Sequence, residues 1–294
     1  MGRWARSKQL ATSSWAVLRQ DKELMVLPLI SGVASLMIAA TFLVPIFMTS
    51  QTTDIEGNAT SSFGPLQYVL FFAMYVVLAY ITVFFRTALL CGADERMKGG
   101  NPTLSSALGG AGRHAGKILP WAIVSATVSV ILRSLEQRSG LLGRIVIGFV
   151  GMAWTVVTFL VLPILVFEGL GVGDAVKRST QLLKATWGEN LIVNGGISLF
   201  GFLLMIPAVL LVVLGLATDG GSNGGGLPLG FIVTGSIAVV WIIAVSCWTN
   251  AMSSVFQLAL YRYAVDGEAP AAFASVELGS AFQQKGKAAR RMGF

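Results

Sequence analysis

The chain has 294 residues, of which 54% are hydrophobic and 12% are charged. A soluble chain carries about a quarter charged residues, so this composition excludes an ordinary soluble domain and predicts a protein whose solvent is lipid. The net charge of +7 does not indicate nucleic-acid binding, because the Lys and Arg residues flank long apolar blocks. Cys91 and Cys247 form no Cys-x-x-Cys spacing and indicate neither a disulfide framework nor a thiolate metal site.

The amino terminus predicts no cleavable signal peptide, because about twenty polar and charged residues precede an apolar block that is too long for one. Crossing about 30 Å of hydrocarbon as a helix requires about twenty residues, and six blocks reach or approach that length. We predict an all-α, polytopic membrane bundle of six transmembrane helices in one domain, 1–264, with a basic cytoplasmic tail, 265–294. The predicted spans are 24–48, 66–85, 118–135, 145–167, 191–217 and 229–250.

Two features of these spans depart from a simple apolar helix. The third block is short, so it either draws on flanking residues or fails to cross fully. Pro163 and Pro207 lie within the fourth and fifth blocks, where we expect kinks.

Basic residues divide unevenly between the two sides of the spans. With the amino terminus inside, 18 of the 21 Lys and Arg residues fall on inner segments, and Arg133, Arg138 and Arg144 fall outside. The positive-inside rule therefore predicts that both termini are cytoplasmic.

Three stretches that precede the odd-numbered spans share one layout. The first and third match at a constant offset of 172, and the first and second match at 98, which predicts a weak threefold repeat of one helix plus two spans. The matched residues are Ser7, Gln9, Leu10 and Trp15 with Ser179, Gln181, Leu182 and Trp187, and Ser7 and Leu10 with Ser105 and Leu108.

Each of these stretches has apolar residues at helical spacing and predicts an amphipathic helix at the cytoplasmic interface, over 7–18, 104–118 and 175–187. Their polar faces are basic. Such a helix either connects spans by packing on their ends or recognises anionic lipid, and both interpretations stay open. The candidate lipid-contacting residues are Lys177, Arg178, Lys184, Trp187, Arg113 and Lys117.

Ionisable residues are missing from the predicted centres of the spans, where a transport or catalytic site would usually need them. We expect Arg86, Arg133 and Glu168 to lie at interface depth, as snorkelling side chains or surface pairs. The uncharged Asn194 and Asn250 are the candidate intramembrane polar residues, and a role in hydrogen bonds between helices is expected for both. Ser31 and Ser35 are among small residues that favour close helix packing; Ala39, Ala122 and Ala126 are the others.

The remaining polar residues indicate no catalytic constellation. His114 is the single histidine, which argues against a zinc site or a Ser-His-Asp triad, and we expect it to be solvated. Asp94, Glu95 and Arg96 predict a solvated face rather than an acid–base pair, since neighbouring side chains on a helix point in different directions. The sequence therefore predicts a non-enzymatic protein without a metal ion or cofactor.

Three segments resemble a known family: SSWAVLRQDKELMVLPLISG, VFEGLGVGDAVKRSTQLLKATWGENL and LALYRYAVDG. They are similar to a widespread prokaryotic family of six-span membrane proteins catalogued only as a domain of unknown function. The layout also resembles the membrane domain fused to some glycerophosphodiester phosphodiesterases, whose soluble catalytic domain has no counterpart in this sequence. The resemblance implies a multi-pass protein of the plasma membrane and a compact helical bundle, and it supplies no catalytic residue.

Three functional hypotheses follow. The first is a non-enzymatic scaffold or a subunit that interacts with lipid, anionic lipid above all, or with a membrane protein complex, and not with nucleic acid. The alternative is a transporter or permease subunit with a site between helical repeats, lined by Asn194 or Asn250. A membrane-embedded lipid enzyme is the third and requires converging carboxylates, histidine or metal ligands that the sequence does not show.

Overall fold

A computed structural model of the chain describes residues 22–53, 59–61, 64–186, 204–214 and 229–267. These ranges are almost entirely helical, with one short antiparallel hairpin in which Thr52 lies opposite Thr60. The elements in chain order are α1 (Lys22–Ser50), β1 (Gln51–Thr53), β2 (Ala59–Ser61), α2 (Pro65–Met97), α3 (Leu104–Arg113), α4 (Ala115–Arg138), α5 (Leu141–Val157), α6 (Val161–Pro163), a π-helix (Ile164–Glu168), α7 (Val172–Thr186), α8 (Leu204–Leu214) and α9 (Leu229–Asp266).

Five helical segments in these ranges are long and apolar enough to cross a membrane: Glu23–Met48, Pro65–Met97, Ala115–Arg138, Leu141–Glu168 and Val233–Asp266. The chain is therefore an all-α, polytopic membrane helical bundle. The third span, expected to be short, has 24 residues and reaches a spanning length with its flanking residues. Of the predicted fifth span only α8 lies within the described residues.

The buried core lies at one end of the bundle, here named the packed end. It draws on the start of α1, the end of α2, the start of α4, the end of the fourth span, the last part of α9, and both α3 and α7. Leu24, Leu89, Ile164 and Phe256 are among its fully buried side chains. Such a core is close-packed and excludes solvent, so it holds seven chain segments in one place.

The packed end fixes the direction of the described spans. Helices α1 and α4 start there, whereas α2, the fourth span and α9 finish there. A helix of 38 residues is longer than the bilayer is thick, so α9 begins at the opposite end. Helix α7 also packs into the packed end, and most of the predicted fifth span lies outside the described residues, so the sixth crossing stays a prediction.

The rest of the spanning helices presents apolar side chains outward. Leu36, Val69, Val146 and Val240 are each more than 60% exposed. An apolar surface of this extent is unfavourable in water, and in a bilayer acyl chains cover it. Protein contacts therefore dominate at the packed end, and lipid contacts dominate around the middle of the bundle.

The fourth span breaks where it reaches the packed end, near the kink expected at Pro163. Proline has no N–H to donate to the carbonyl four residues earlier, which here belongs to Phe159. The side-chain amide of Gln257 on α9 donates to that carbonyl instead. The Ser179 hydroxyl on α7 donates to the carbonyl of Val157 at 2.6 Å, so neighbouring helices satisfy the backbone groups that the break frees.

Helix α3 differs from the predicted helix over 104–118. It ends at Arg113, His114 lies at the break, and Ala115 opens α4, so Lys117 belongs to the third span. The His114 ring is half-buried rather than solvated, and its Nδ1 lies 2.8 Å from the carbonyl of Gly110. The glycine-rich sequence of α3 has weak helix propensity, which favours a short helix.

Carboxylates from two spans hold the start of α3. Glu23 of α1 accepts a hydrogen bond from the amide of Leu104 at 2.9 Å, and Glu95 of α2 accepts one from the hydroxyl of Ser106 at 2.8 Å. The first amides of a helix lack partners within it and favour negative charge. Helix α3 is therefore attached to α1 and α2 at its amino-terminal end.

Candidate functional site

A cavity of about 280 Å³ lies between α1, α2 and α9, beside the packed end. Among the described residues that line it, Arg86 of α2 is the one with a charged side chain. Apolar residues form much of the remaining wall, including Phe85, Ile242 and Ile243. The uncharged polar residues that line it are Ser31, Ser35, Thr82, Ser246, Asn250 and Ser254.

Arg86 is exposed in the structure, and its side chain lines the cavity. Its Nη2 donates to Oδ1 of Asn250 at 2.7 Å. The Asn250 Nδ2 donates to the carbonyl of Ser246 at 2.8 Å, which fixes the orientation of the amide. Within the described part of the chain Arg86 forms no ion pair, so its charge is met by a neutral partner only.

The hydroxyl groups that line the cavity fall into two sets. Thr82 donates to the carbonyl of Leu78 at 2.9 Å, and Ser254 donates to that of Asn250 at 2.9 Å, which are ordinary helix contacts. The hydroxyls of Ser31, Ser35 and Ser246 form no hydrogen bond in the described ranges. The second set leaves donors available to a ligand.

These positions bear on three sequence-based interpretations. Arg86 lies inside the continuous helix α2 and lines a cavity, and its depth in the membrane, expected at the interface, stays a prediction. Ser31 and Ser35, expected to permit close helix packing, line the same cavity. Asn250 lies in it as the candidate intramembrane polar residue, whereas Asn194 is outside the described residues.

An ion-pair cluster joins α2 to α9 at the packed end. Asp94 is 6% exposed, and Arg262 Nε donates to its Oδ1 at 3.1 Å while Nη2 contacts the same oxygen. Lys98 Nζ lies 2.7 Å from the other carboxylate oxygen. The prediction of a solvated face is therefore wrong for Asp94, although Asp94 and Glu95 do point to different partners, since Glu95 contacts Ser106.

A second group joins the π-helix to α7 and α9. Glu168 lies 3.2 Å from Nε of Arg178 and accepts a hydrogen bond from the hydroxyl of Tyr261 at 3.3 Å. The Tyr261 ring stacks on Phe167, and the Arg262 guanidinium lies 5.3 Å from the centre of the Phe167 ring. Phe167 therefore lies between the two ion-pair groups and packs against both.

The candidate lipid-contacting residues separate into two classes. Arg178 is engaged with Glu168, so it supports the fold. Lys177 is 79% exposed with only a 3.8 Å contact to the exposed Asp174, and Lys184 is exposed without an ion pair in the described ranges. Arg113 and Lys117 are also exposed, on α3 and α4, and Trp187 lies outside the described residues.

The chemistry of these groups favours binding of negative charge. Among the described residues no group of three or more His, Cys, Asp or Glu side chains is placed to hold a metal ion. The cavity presents one guanidinium and several hydroxyls, which are donors toward phosphate or carboxylate oxygens. The outer face of α7 presents ammonium groups at the packed end.

The sequence profile of a family of unknown function (DUF6159) matches residues 65–271. The chain belongs to this family. The matched region covers α2 and α9, which contribute Arg86 and Asn250 to the cavity, and α7 with its basic face. No curated protein and no solved structure matches the chain, so the resemblance to the membrane domain of glycerophosphodiester phosphodiesterases stays a prediction.

Sequence reasoning found Asn250 but missed the cavity. Arg86 follows directly after an apolar run, which is also where a snorkelling residue stands, and its partner lies 164 positions away. One signal was present: Ser31 and Ser35 are spaced one helical turn apart in a mostly apolar span. Pairing that stripe with Arg86 and Asn250 requires knowledge of which helices are neighbours.

Proposed function

We propose that this chain is a non-enzymatic protein of the plasma membrane whose packed end faces the cytoplasm and binds anionic lipid headgroups of the inner leaflet. The observation that carries the proposal is the two-sided environment of α7. Ala175, Ser179 and Leu182 are buried in the packed end, whereas Lys177 and Lys184 project from the exposed side. A helix so anchored holds its ammonium groups at the level of the bundle where headgroups lie.

The distribution of charge supports the same orientation. In the described ranges the basic residues near the opposite end are Arg133, Arg138 and Arg144, whereas the packed end carries the larger number. An excess of Lys and Arg marks the cytoplasmic side of membrane proteins. The basic residues at or near the packed end are Lys22, Arg86, Arg96, Lys98, Arg113, Lys117, Lys177, Arg178, Lys184 and Arg262.

The test replaces Lys177 and Lys184 together with glutamine. Each basic residue near an anionic surface contributes about 1 kcal/mol, so we expect the double variant to lose about 2 kcal/mol of lipid association before screening, or over tenfold in retention. Native mass spectrometry of the full chain from phosphatidylglycerol nanodiscs measures retained lipid. Arg178 is left intact because it pairs with Glu168.

The matched control keeps the charge at the same positions with Lys177→Arg and Lys184→Arg. We expect lipid retention of this variant to equal that of the unmodified chain. If the glutamine variant retains as much lipid as the arginine variant in 150 mM salt and in low salt, α7 is a connector and the proposal fails.

The cavity favours a second candidate function, a transporter or permease subunit. Arg86 and Asn250 place a charge and an amide between spans, and discontinuous or cavity-lining helices of this kind hold substrates in transporters. A transporter must open such a cavity to each side of the membrane in turn, whereas a binding protein only retains its ligand.

A further inference from the structure

We infer that the cavity between α1, α2 and α9 is a binding site for the phosphate group of an anionic ligand, with Arg86 as counter-ion, and that an anionic phospholipid fits it best. The site is separate from the exposed face of α7. This inference can therefore be tested separately from the function proposed above.

Arg86 carries a charge that no anion in the described ranges balances. The guanidinium lies among spanning helices, in a cavity whose wall is largely apolar. A cation in such surroundings is unfavourable unless an anion pairs with it. Asn250 occupies one N–H donor and carries no charge, and no carboxylate in the described ranges forms an ion pair with Arg86. A ligand that supplies the negative charge completes the site.

The hydrogen-bond donors of the Arg86 guanidinium are held in a defined orientation. The Asn250 amide, itself fixed by its bond to the Ser246 carbonyl, holds one edge of the guanidinium. The other N–H groups of this planar fork are free to bind two oxygens of one phosphate. Arg86 is thus oriented before the ligand arrives, which lowers the ordering cost of binding.

Hydroxyl and apolar groups line the cavity around the guanidinium. Ser31 and Ser35, one turn apart on α1, line the cavity with hydroxyls that have no hydrogen-bond partner in the described ranges. A volume of about 280 Å³ admits a polar headgroup but not a whole lipid. Ile242 and Ile243 line the same cavity and are about 40% exposed, at 41% and 39%, so an acyl chain can lie along them. A ligand with a phosphate and an apolar body matches this pattern.

The experiment measures ligand-induced stabilisation of the purified full chain by thermal melting in detergent. Dioleoyl phosphatidic acid is added in one arm and inorganic phosphate in the other, so that the arms distinguish a lipid from a soluble source of the same group. The variants are Arg86→Gln, Asn250→Ala and the matched control Arg133→Gln, an exposed arginine far from the cavity.

We expect the unmodified chain and Arg133→Gln to be stabilised, more by the lipid than by inorganic phosphate. Loss of a charge-assisted contact weakens binding at least about tenfold. The ligand concentration that gives half of the maximal stabilisation should therefore be at least about tenfold higher for Arg86→Gln. Without ligand Arg86→Gln should melt no lower than the unmodified chain, because it removes an unpaired cation. If that variant does not fold, Asn250→Ala, which leaves the charge but frees its orientation, should show the same shift to a smaller degree.

Two results would overturn the inference. One is the absence of stabilisation in both arms for the unmodified chain. The other is an equal response in Arg86→Gln, Asn250→Ala and Arg133→Gln, which would show that lipid stabilises the bundle without using the cavity.

Discussion

At the scale of single residues, the charged side chains differ in burial and in the ion pairs that they form. Asp94 is almost completely buried and bound by Arg262 and Lys98, while Asp174 on α7 is exposed and only 3.8 Å from Lys177. Two aspartates on the same end of the molecule therefore have different energetic weight, since buried pairs are costly to break and exposed pairs contribute little.

The substitution Asp94→Asn tests this difference. It leaves Lys98 without its counter-charge, and among the described residues Arg262 keeps only the exposed Asp266 at 3.8 Å. We therefore expect the free energy of unfolding to fall by about 2–3 kcal/mol, less than for a fully buried pair because Arg262 is 26% exposed. Reversible unfolding of the full chain in bicelles measures the change. The control Asp174→Asn should change it by less than about 0.5 kcal/mol. Equal effects would show that the Asp94 cluster is screened like a surface pair.

The sequence could not assign these roles. Asp94 stands beside Glu95 and Arg96 after an apolar block, which is the usual pattern of a solvated helix end, and its partner Arg262 is 168 positions away. Burial of a charge depends on which distant segment packs against it. The sequence did predict correctly that adjacent carboxylates point apart, because that follows from helix geometry alone.

At the scale of elements, hydropathy predicts most of the fold because bilayer thickness sets the length of a span. The ends of helices are less predictable. Helix α9 continues sixteen residues past the predicted boundary at Asn250, to Asp266, because its last turns pack in the core of the packed end. The break after Val157 depends on Ser179 and Gln257, which lie on other helices.

The predicted repeat stays a prediction, and burial changes its alignment. The sequence pairs Ser105 with Ser179, yet Ser105 is exposed and Ser179 is buried. Ala107 and Ala111, two of the three buried residues of α3, correspond in spacing to Ser179 and Leu183 on α7. A comparison of α3 with α7 by their buried faces therefore shifts the match by two residues.

Helix α3 contains two neighbouring glycines that face different surroundings. A Cβ at Gly110 would lie 2.8 Å from Cβ of Cys91, whereas nothing lies within 4 Å of a Cβ at Gly109. We expect Gly110→Ala to destabilise the chain by about 1–2 kcal/mol through overpacking, and Gly109→Ala to stabilise it by up to about 1 kcal/mol through helix propensity.

Thermal melting of the two variants, one residue apart on one helix, measures both effects at once. The melting temperatures should move in opposite directions. A rise for both variants would mean that α3 does not approach α2 as closely as the position of Cys91 requires.

At the scale of the whole molecule, the ends of the bundle are unlike each other. The packed end holds the core, both ion-pair groups and most of the described basic residues, and the cavity lies beside it. The opposite end carries Arg133, Arg138 and Arg144, which lie near the junction of α4 and α5. The proposed function requires that the packed end faces the cytoplasm.

Labelling of single cysteines tests the orientation. In a chain with Cys91 and Cys247 replaced by alanine, we expect Lys184→Cys to react with a membrane-impermeant maleimide only from the cytoplasmic side, and Arg138→Cys only from the other side. Both positions are exposed, so reactivity reports location rather than burial. Reaction of both from the same side would contradict the alternating path of the chain between the two ends.

The contribution of α9 to the packed end has a consequence for biosynthesis. Among the described helices α9 is translated last, yet it supplies Arg262 to Asp94, Gln257 to the carbonyl of Phe159, and Phe256 to the core. Earlier spans can enter the bilayer one after another. Their ends in the packed end, which is cytoplasmic in the orientation proposed here, complete their packing only after α9 is made. A chain that stops before α9 would be inserted and still incomplete, with Asp94 paired to Lys98 alone, and would be a substrate for membrane quality-control proteases.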